Sequence, residues 1–130
     1  MTSGLVAADR SVIALEGPDS RHFLQGLVTS DVDALADGAP LYTALLSPQG
    51  KYLFDFFCLS QDGVILIDVA AGRRDALMQR LGLYKLRAAV TLTARPDLAV
   101  VLGIGTAPDG AFPDPRHPDL GWRAITAEPE

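Results

Sequence analysis

The stretch LYTALLSPQGKYLFDF (residues 41–56) limits the possible folds more than any other, because a tight turn joins its two strand-like runs. In the turn SPQG, Pro48 fixes φ and Gly50 is free to take a positive φ. A second turn, SQDG, leads into VILIDVA (64–70), an apolar third strand that we expect at the centre of the sheet. Strands joined by tight turns pair antiparallel, so this region predicts an antiparallel meander.

Two helix-like segments and further strands flank this meander. SVIALEG (11–17) alternates as a first strand, and the residues after it predict a short amphipathic helix with Asp19 or Ser20 as N-cap. Gly26 costs that helix about 1 kcal/mol relative to Ala, so either close packing requires it or the helix ends there. AGRRDALMQRLGLYKL (71–86) predicts a second helix, and AAVTLTARP and LAVVLGIG predict two more strands. This order predicts the α+β class, with one mixed or largely antiparallel sheet and two covering helices.

Composition and charge narrow the classes of protein and partner. The 130 residues fit one domain, and 48% apolar and 21% charged residues are typical of folded globular proteins. The net charge of -5 argues against a general nucleic-acid or anionic-membrane surface, since both need a basic face. The single cysteine, Cys58, excludes an internal disulfide and suits a reducing compartment. No apolar run approaches a membrane span and the N-terminus lacks a signal-peptide pattern, so we expect a cytoplasmic protein without membrane partners.

Two further segments allow more than one interpretation. Residues 106–121 are rich in proline and predict a crossing loop that ends in a last edge strand containing Trp122. The second helix and its flank contain a run of basic residues. We favour the interpretation that they form the solvent-exposed face of the helix, and the alternative is a local basic cluster that binds a partner. Its members are Arg73, Arg74, Arg80, Lys85 and Arg87.

His22, His117 and Cys58 lack the paired spacing of metal ligands, so no metal site is predicted.

Asp55 is the strongest candidate for a functional residue. Strict alternation along its strand gives it one face together with Leu53, Phe57 and Leu59. The other face then holds Tyr52, Phe54, Phe56 and Cys58. Both faces are apolar, and a desolvated carboxylate is costly unless a partner or ligand satisfies it. Asp55 is therefore either a structural acid, held by a backbone N–H or an arginine such as Arg10, or a functional one.

Five motifs occur in order along the chain: LEGPDSRHFLQGLVTSDV, LYTALLSPQGKYLFDF, ILIDVA, LGLYKLRAAVTL and DPRHPDLGWRA. Together they resemble the YgfZ family of folate-binding proteins, relatives of the glycine-cleavage T-protein (aminomethyltransferase). The most specific part is FLQG and T-x-DV combined with SPQGK and a late DPR…LG-R. The resemblance covers most of the chain and implies that residues 1–130 form a single N-terminal folate-binding domain of a longer protein.

The resemblance also implies a function and site residues. The resemblance implies a folate-dependent protein that assists iron–sulfur cluster assembly and repair. Some members of the family are linked to tRNA modification, and the expected ligand is tetrahydrofolate or a derivative. By motif, the tyrosine and aspartate that hold the folate fall on Tyr42 and Asp55. An acid among aromatic residues suits a pterin ring, which stacks on apolar faces while its ring nitrogens bind the acid. We expect Tyr42 to flank the pterin, Asp55 to hydrogen-bond it, and Gln25 and Asp31 to organise the helix and loop beside it, Asp31 as a cap.

Three departures from the family pattern bear on the chemistry. The T-protein has two adjacent acids at this site, but here the first is Phe54, which speaks against aminomethyl transfer. Ser30 stands where the motif TNDV has asparagine. The motif KGCYxGQE, with the distinctive cysteine of the family, is absent, and Cys58 does not replace it.

The main hypothesis is thus a non-catalytic tetrahydrofolate-binding domain of a protein that assists iron–sulfur cluster assembly, with folate and iron–sulfur proteins as partners. One alternative is a folate-dependent aminomethyltransferase subdomain. Another is a non-catalytic interaction module that docks a partner through residues 106–120. The negative net charge argues against direct nucleic-acid binding by this chain alone.

Overall fold

The computed structural model describes residues 4–29, 32, 35, 40–47, 49–61, 63–85, 88–104, 111–113, 115–116 and 121–126. In chain order their elements are β1 (Gly4–Val6), β2 (Arg10–Glu16), α1 (Ser20–Gln25), β3 (Leu41–Leu46), β4 (Tyr52–Gln61), β5 (Val64–Ala70), α2 (Arg74–Lys85), β6 (Thr91–Ala94), β7 (Ala99–Gly103), β8 (Phe112–Pro113) and β9 (Trp122–Thr126). A 3-10 turn at Ala71–Arg73 leads directly into α2. Among the described residues, no helix is long and apolar enough to cross a membrane.

The strands form two antiparallel sheets, where the sequence predicts one. The first sheet has five strands in the order β3-β4-β5-β2-β6, and the second has four in the order β1-β7-β9-β8. The α+β class is confirmed, and β5 lies at the centre of its sheet as expected. Strand β9 is predicted at an edge but lies between β7 and β8, because the two-residue β8 pairs along its outer side. A strand that short leaves no periodic pattern in the sequence.

Strand β2 shows how two layers cover the five-stranded sheet. Ile13 and Leu15 face the helices and join the apolar cluster that contains the buried leucines of α2. Val12 and Ala14 point to the opposite face and pack with Val100 of the four-stranded sheet. These four β2 side chains have 0% exposure, so the strand needs apolar residues at successive positions. The molecule therefore has three layers: helices, five-stranded sheet and four-stranded sheet.

The start of α1 is fixed from outside the helix. Asp19 occupies the N-cap position, as predicted, but its carboxylate accepts the backbone N–H of Ala89 at 2.7 Å and does not cap the helix. Gly17 takes a φ of +122°, and a Cβ there would meet the carbonyl oxygen of Ala89 at 2.1 Å. At the other end the helix stops at Gln25, so Gly26 marks the helix end and not a close packing contact.

The hairpin of β3 and β4 forms as predicted. Tyr42 pairs with Phe57 and Ala44 with Asp55 across the two strands. Gly50 takes a φ of +84° in the turn, which is the positive φ expected of it. The proline of the turn lies outside the described residues. The hairpin places the predicted site residues Tyr42 and Asp55 on adjacent strands.

Candidate functional site

A β-bulge in β4 determines which side chains accompany Asp55. The pairing with β3 passes from Phe54 directly to Tyr52, so Leu53 is an extra residue in the strand. One extra residue in a strand reverses the faces to which the side chains on its N-terminal side point. Tyr52 therefore hydrogen-bonds Asp55, and Leu53 packs against the helix-side apolar cluster. Strict alternation predicts the opposite face for both residues, and the bulge is the reason why that prediction is wrong.

Two phenol groups hold the Asp55 carboxylate. The hydroxyl of Tyr42 donates to Oδ2, and the hydroxyl of Tyr52 donates as well. Burial raises the pKa of Asp55, but these two hydrogen bonds, a backbone hydrogen bond and the charge of Arg10 together outweigh it, so the pKa lies below its usual value. The same bonds raise the pKa of Tyr42, and that of Tyr52 to about 12. At neutral pH the site is thus an ionised acid held by two neutral phenols.

The arginine suggested as a partner of Asp55 binds a different acid. Arg10 Nε donates to Oδ1 of Asp68 at 2.7 Å, and Arg123 Nη2 donates to Oδ2 at 2.6 Å. Asp68 is 2% exposed and lies in β5, whereas Arg123 comes from β9 of the second sheet. Because both carboxylate oxygens are occupied, the buried charge is satisfied. This triad links the two sheets directly behind the Asp55 site.

Phe57 connects the triad to Asp55. Its ring centroid lies 4.9 Å from that of Tyr42, its neighbour across the hairpin. Three guanidinium groups lie over the ring, with Cζ-to-centroid distances of 3.9 Å for Arg123, 4.9 Å for Arg116 and 5.7 Å for Arg10. Such contacts are typical cation–π geometry. The covered ring is 3% exposed, so Phe57 supports the site from behind and offers no face to a ligand.

A pocket opens beside Asp55 where two strands separate. The ladder between β4 and β5 starts at the pair of Phe57 with Asp68 and does not extend back to Asp55. Arg73 reaches toward this gap, and its Nη2 donates to the carbonyl oxygen of Leu53 at 2.8 Å. The pocket has a volume of about 130 Å³. Its lining residues are Tyr52, Leu53, Phe54, Asp55, Val69, Ala70 and Arg73.

The predicted site residues divide into those at this pocket and those beside it. Tyr42 and Asp55 are in direct contact. Gln25, at the end of α1, accepts the backbone N–H of Val32 through Oε1 at 2.6 Å, which ties down the loop that follows the helix. That loop runs along β3, where the N–H of Thr29 donates to the backbone of the hairpin. Asp31 lies outside the described residues.

Several residues of the site do not emerge from local sequence patterns. Tyr52 is hidden by the bulge, and Asp68 looks like a lone acid in an apolar strand. Arg116 and Arg123 lie far from the hairpin in sequence, and the only signal for them is the late motif DPR…LG-R, which contains both. Among the described residues no group of His, Cys, Asp and Glu side chains is suited to hold a metal ion.

Comparison with curated proteins gives clear relatives. The chain is 33% identical to the mitochondrial iron-sulfur cluster assembly factor IBA57 homolog of Pyricularia oryzae, over 96% of the chain and 36% of that protein. It is 32% identical to the tRNA-modifying protein YgfZ of Klebsiella pneumoniae, over 74% of the chain and 29% of that protein. The chain therefore spans about a third of the length of these relatives. No family model matches it.

A solved structure shares the fold. The glycine cleavage system aminomethyltransferase T of Bartonella henselae superimposes with a TM-score of 0.66 at 20% identity. The match covers 75% of the chain and 27% of that protein. At this identity the likeness shows the fold alone, and it agrees with the α+β arrangement of sheets and helices described above.

Proposed function

The chain belongs to the YgfZ-like relatives of the glycine-cleavage T-protein, and we propose that it is the tetrahydrofolate-binding domain of a protein that assists iron–sulfur cluster assembly. The printed names of the relatives support this role: one is a cluster assembly factor and another a tRNA-modifying protein. The chain spans about a third of their length, and the proposal keeps the assignment that the family motifs imply: one domain, the N-terminal one, of a longer protein. A link to tRNA modification is part of the same proposal, and a cytoplasmic location stays a prediction.

The observation that best supports folate binding is the ionised Asp55 carboxylate at the wall of a pocket. A pterin ring presents adjacent N–H donors on its pyrimidine half, and a carboxylate can accept two such hydrogen bonds side by side. Tyr42 and Tyr52 fix the orientation of the acid and lower its pKa. A neutral acid would lose one of its acceptors, so the two phenols favour the state that binds the ring.

The walls of the pocket fit a flat, partly apolar ring. Tyr52 is 57% exposed and leaves a ring face available, and Leu53 and Phe54 add apolar surface. Ligand pockets typically combine such walls with a few fixed polar groups. When bound, tetrahydrofolate would supply a carrier for one-carbon units. The residues of this chain would bind and orient its ring.

The position of Phe54 favours an accessory role over aminomethyl transfer. By the family motif, Phe54 stands where the T-protein has the first of its two adjacent acids. In the structure Phe54 is 7% exposed in the helix-side cluster, and the guanidinium of Arg73 lies 4.3 Å from its ring centroid. Among the residues that the structure describes, Asp55 is thus the one acid that lines this pocket. We therefore propose binding without catalysis by this domain.

Titration calorimetry tests the proposal. We expect the chain to bind tetrahydrofolate or 5-formyltetrahydrofolate, and Asp55→Asn to weaken binding by about 1–3 kcal/mol, the cost of a lost charged hydrogen bond. Asp97→Asn is the matched control, because Asp97 is an exposed acid that pairs with Arg95 away from the pocket. Equal weakening in both variants would contradict the role of Asp55, and no binding by the parent chain would contradict folate binding.

A further inference from the structure

Leu53, the extra residue of the β4 bulge, has its carbonyl group bound from outside the sheet. Among the described residues, neither the ladder with β3 nor the ladder with β5 pairs Leu53. A bulge leaves its extra residue without a ladder partner. Arg73 supplies a partner, since its Nη2 donates to the Leu53 carbonyl oxygen at 2.8 Å. A side chain thus binds the bulge where a strand does not.

Arg73 reaches the bulge because of its place in the chain. Strand β5 ends at Ala70, and Arg73 is the last residue of the 3-10 turn that follows. Its guanidinium also lies over the ring of Phe54, the residue after the bulge, with a Cζ-to-centroid distance of 4.3 Å. A cation–π contact and a charge-assisted hydrogen bond together hold the planar group in one orientation.

The bulge decides whether Tyr52 can reach Asp55. The two residues are three positions apart, and in a regular strand an odd separation places side chains on opposite faces. The extra residue between them brings both side chains to the same face, where the Tyr52 hydroxyl donates to the carboxylate. This hydrogen bond therefore depends on the bulge that Arg73 contacts.

We propose that Arg73 is a positioning residue of the Asp55 site: by holding the bulge at Leu53, it places the Tyr52 hydroxyl on the carboxylate. The consequence for ligand binding rests on the proposed function, in which Asp55 must keep one orientation to accept hydrogen bonds from a pterin ring. A side chain of the turn before α2 thereby determines the geometry of a site built on β3 and β4.

The other polar neighbours of the site come from different elements. Tyr42 of β3 donates its hydroxyl to Asp55, and the positive charge of Arg10 on β2 lowers the pKa of the acid. The guanidinium of Arg116 lies 5.7 Å from the ring centroid of Tyr42. These contacts do not pass through Leu53, so a change at Arg73 should leave them in place.

The charge of Arg73 and its positioning role act on Tyr52 with opposite signs. The hydrogen bond to Asp55 is the largest of the causes that raise the pKa of Tyr52 to about 12, whereas the positive charge of Arg73 lowers it. Loss of the charge alone would raise this pKa further. Loss of the hydrogen bond would lower it. The direction of the change therefore separates the two roles.

The test follows the tyrosine ring carbons of the ligand-free chain by carbon-13 NMR as the pH rises. We expect Arg73→Gln to move the pKa of Tyr52 from about 12 down toward its ordinary value of 10.0. Arg80→Gln is the matched control, because Arg80 lies on α2 outside the Asp55 pocket, and it should leave this pKa unchanged. A rise in Arg73→Gln would show that Arg73 acts as a charge alone, and no change would show that the turn before β4 holds the bulge. Either result would overturn the proposal.

A second titration, at acidic pH, gives an answer even if the chain unfolds at high pH. It follows the Asp55 carboxyl carbon in the parent, Arg73→Gln, Tyr52→Phe and the double variant. Arg73→Gln should raise the pKa of Asp55 in the parent chain but add little in the Tyr52→Phe background, because the same hydrogen bond can be lost only once. Equal shifts in the two backgrounds would contradict the positioning role. Neither titration contains folate, so the calorimetry of Asp55→Asn tests the proposed function separately.

Discussion

Tyr42 controls the protonation of Asp55 together with Tyr52. Because the folded-state pKa of Asp55 lies below its usual value of 3.8, its contribution to stability is present above that pH and is lost as the pH falls through the folded-state pKa. Tyr42 shows the opposite sign: its pKa is raised above 10.0, so its contribution is present below that value and is lost as the pH rises.

We expect Tyr42→Phe to raise the pKa of Asp55, because the variant removes the strongest hydrogen bond that stabilises the carboxylate. A carbon-13 NMR titration of the Asp55 carboxyl group measures this directly. The variant should also lose less stability between neutral and acidic pH than the parent. Tyr84→Phe, a half-buried tyrosine of α2, is the control. A titration of Asp55 that is identical in parent and Tyr42→Phe would show that the phenol does not hold the acid.

The connection between β2 and α1 depends on one glycine. Gly17 combines a φ of +122° with a position where a Cβ would lie 2.1 Å from a backbone oxygen of Ala89. Gly50 offers a comparison, since its φ is +84° but nothing lies within 4 Å of a Cβ there. A substitution at Gly50 therefore tests backbone strain alone, whereas a substitution at Gly17 tests backbone strain and steric overlap together.

Gly50→Ala should cost about 1–2 kcal/mol of unfolding free energy, the price of a left-handed backbone for an L-residue. Gly17→Ala should cost more, at least about 3 kcal/mol, because the overlap with Ala89 forces the segment after α2 to move. Urea denaturation of the two variants measures both values. Equal losses of unfolding free energy in the two variants would mean that the backbone around Ala89 moves to accommodate the new Cβ without a measurable loss of stability.

The sequence predicts the hairpin, both helices and β5 at the centre of its sheet, because each has its own periodic or turn signal. It cannot predict the bulge at Leu53, since an inserted residue does not alter the apolar character of β4. For the same reason it places Tyr52 on the wrong face. Tyr42 and Asp55 emerge as a pair from the family motifs, and the structure brings them into contact.

The division into two sheets follows from contacts that are distant in sequence. Arg10, Asp68 and Arg123 come from three separate strands and meet only in the folded chain. No local pattern predicts that Asp68 has two guanidinium partners. The triad and the apolar cluster that contains Val12 and Val100 both contribute to the packing of the second sheet on the first.

Asp68→Leu should lower the free energy of unfolding by about 3–5 kcal/mol, because it leaves Arg123 buried without its carboxylate. Urea denaturation measures the loss. Asp68→Asn keeps a hydrogen-bond acceptor of similar shape, so its free energy of unfolding should fall less. This variant still provides a measurement if the leucine variant does not fold. Asp97→Asn, in an exposed pair, should change stability little. A loss for Asp68→Leu no larger than that of the control would show that the triad does not join the sheets.

The ring of Phe57, covered by guanidinium groups of Arg10, Arg116 and Arg123, provides a built-in spectroscopic probe. Protons held over the face of an aromatic ring are shielded by its ring current, so their NMR signals move upfield. With the guanidinium carbon 3.9 Å from the ring centroid, side-chain protons of Arg123 should appear outside the usual arginine range. The position of that signal would report, without any label, whether the second sheet stays docked when a ligand enters the pocket.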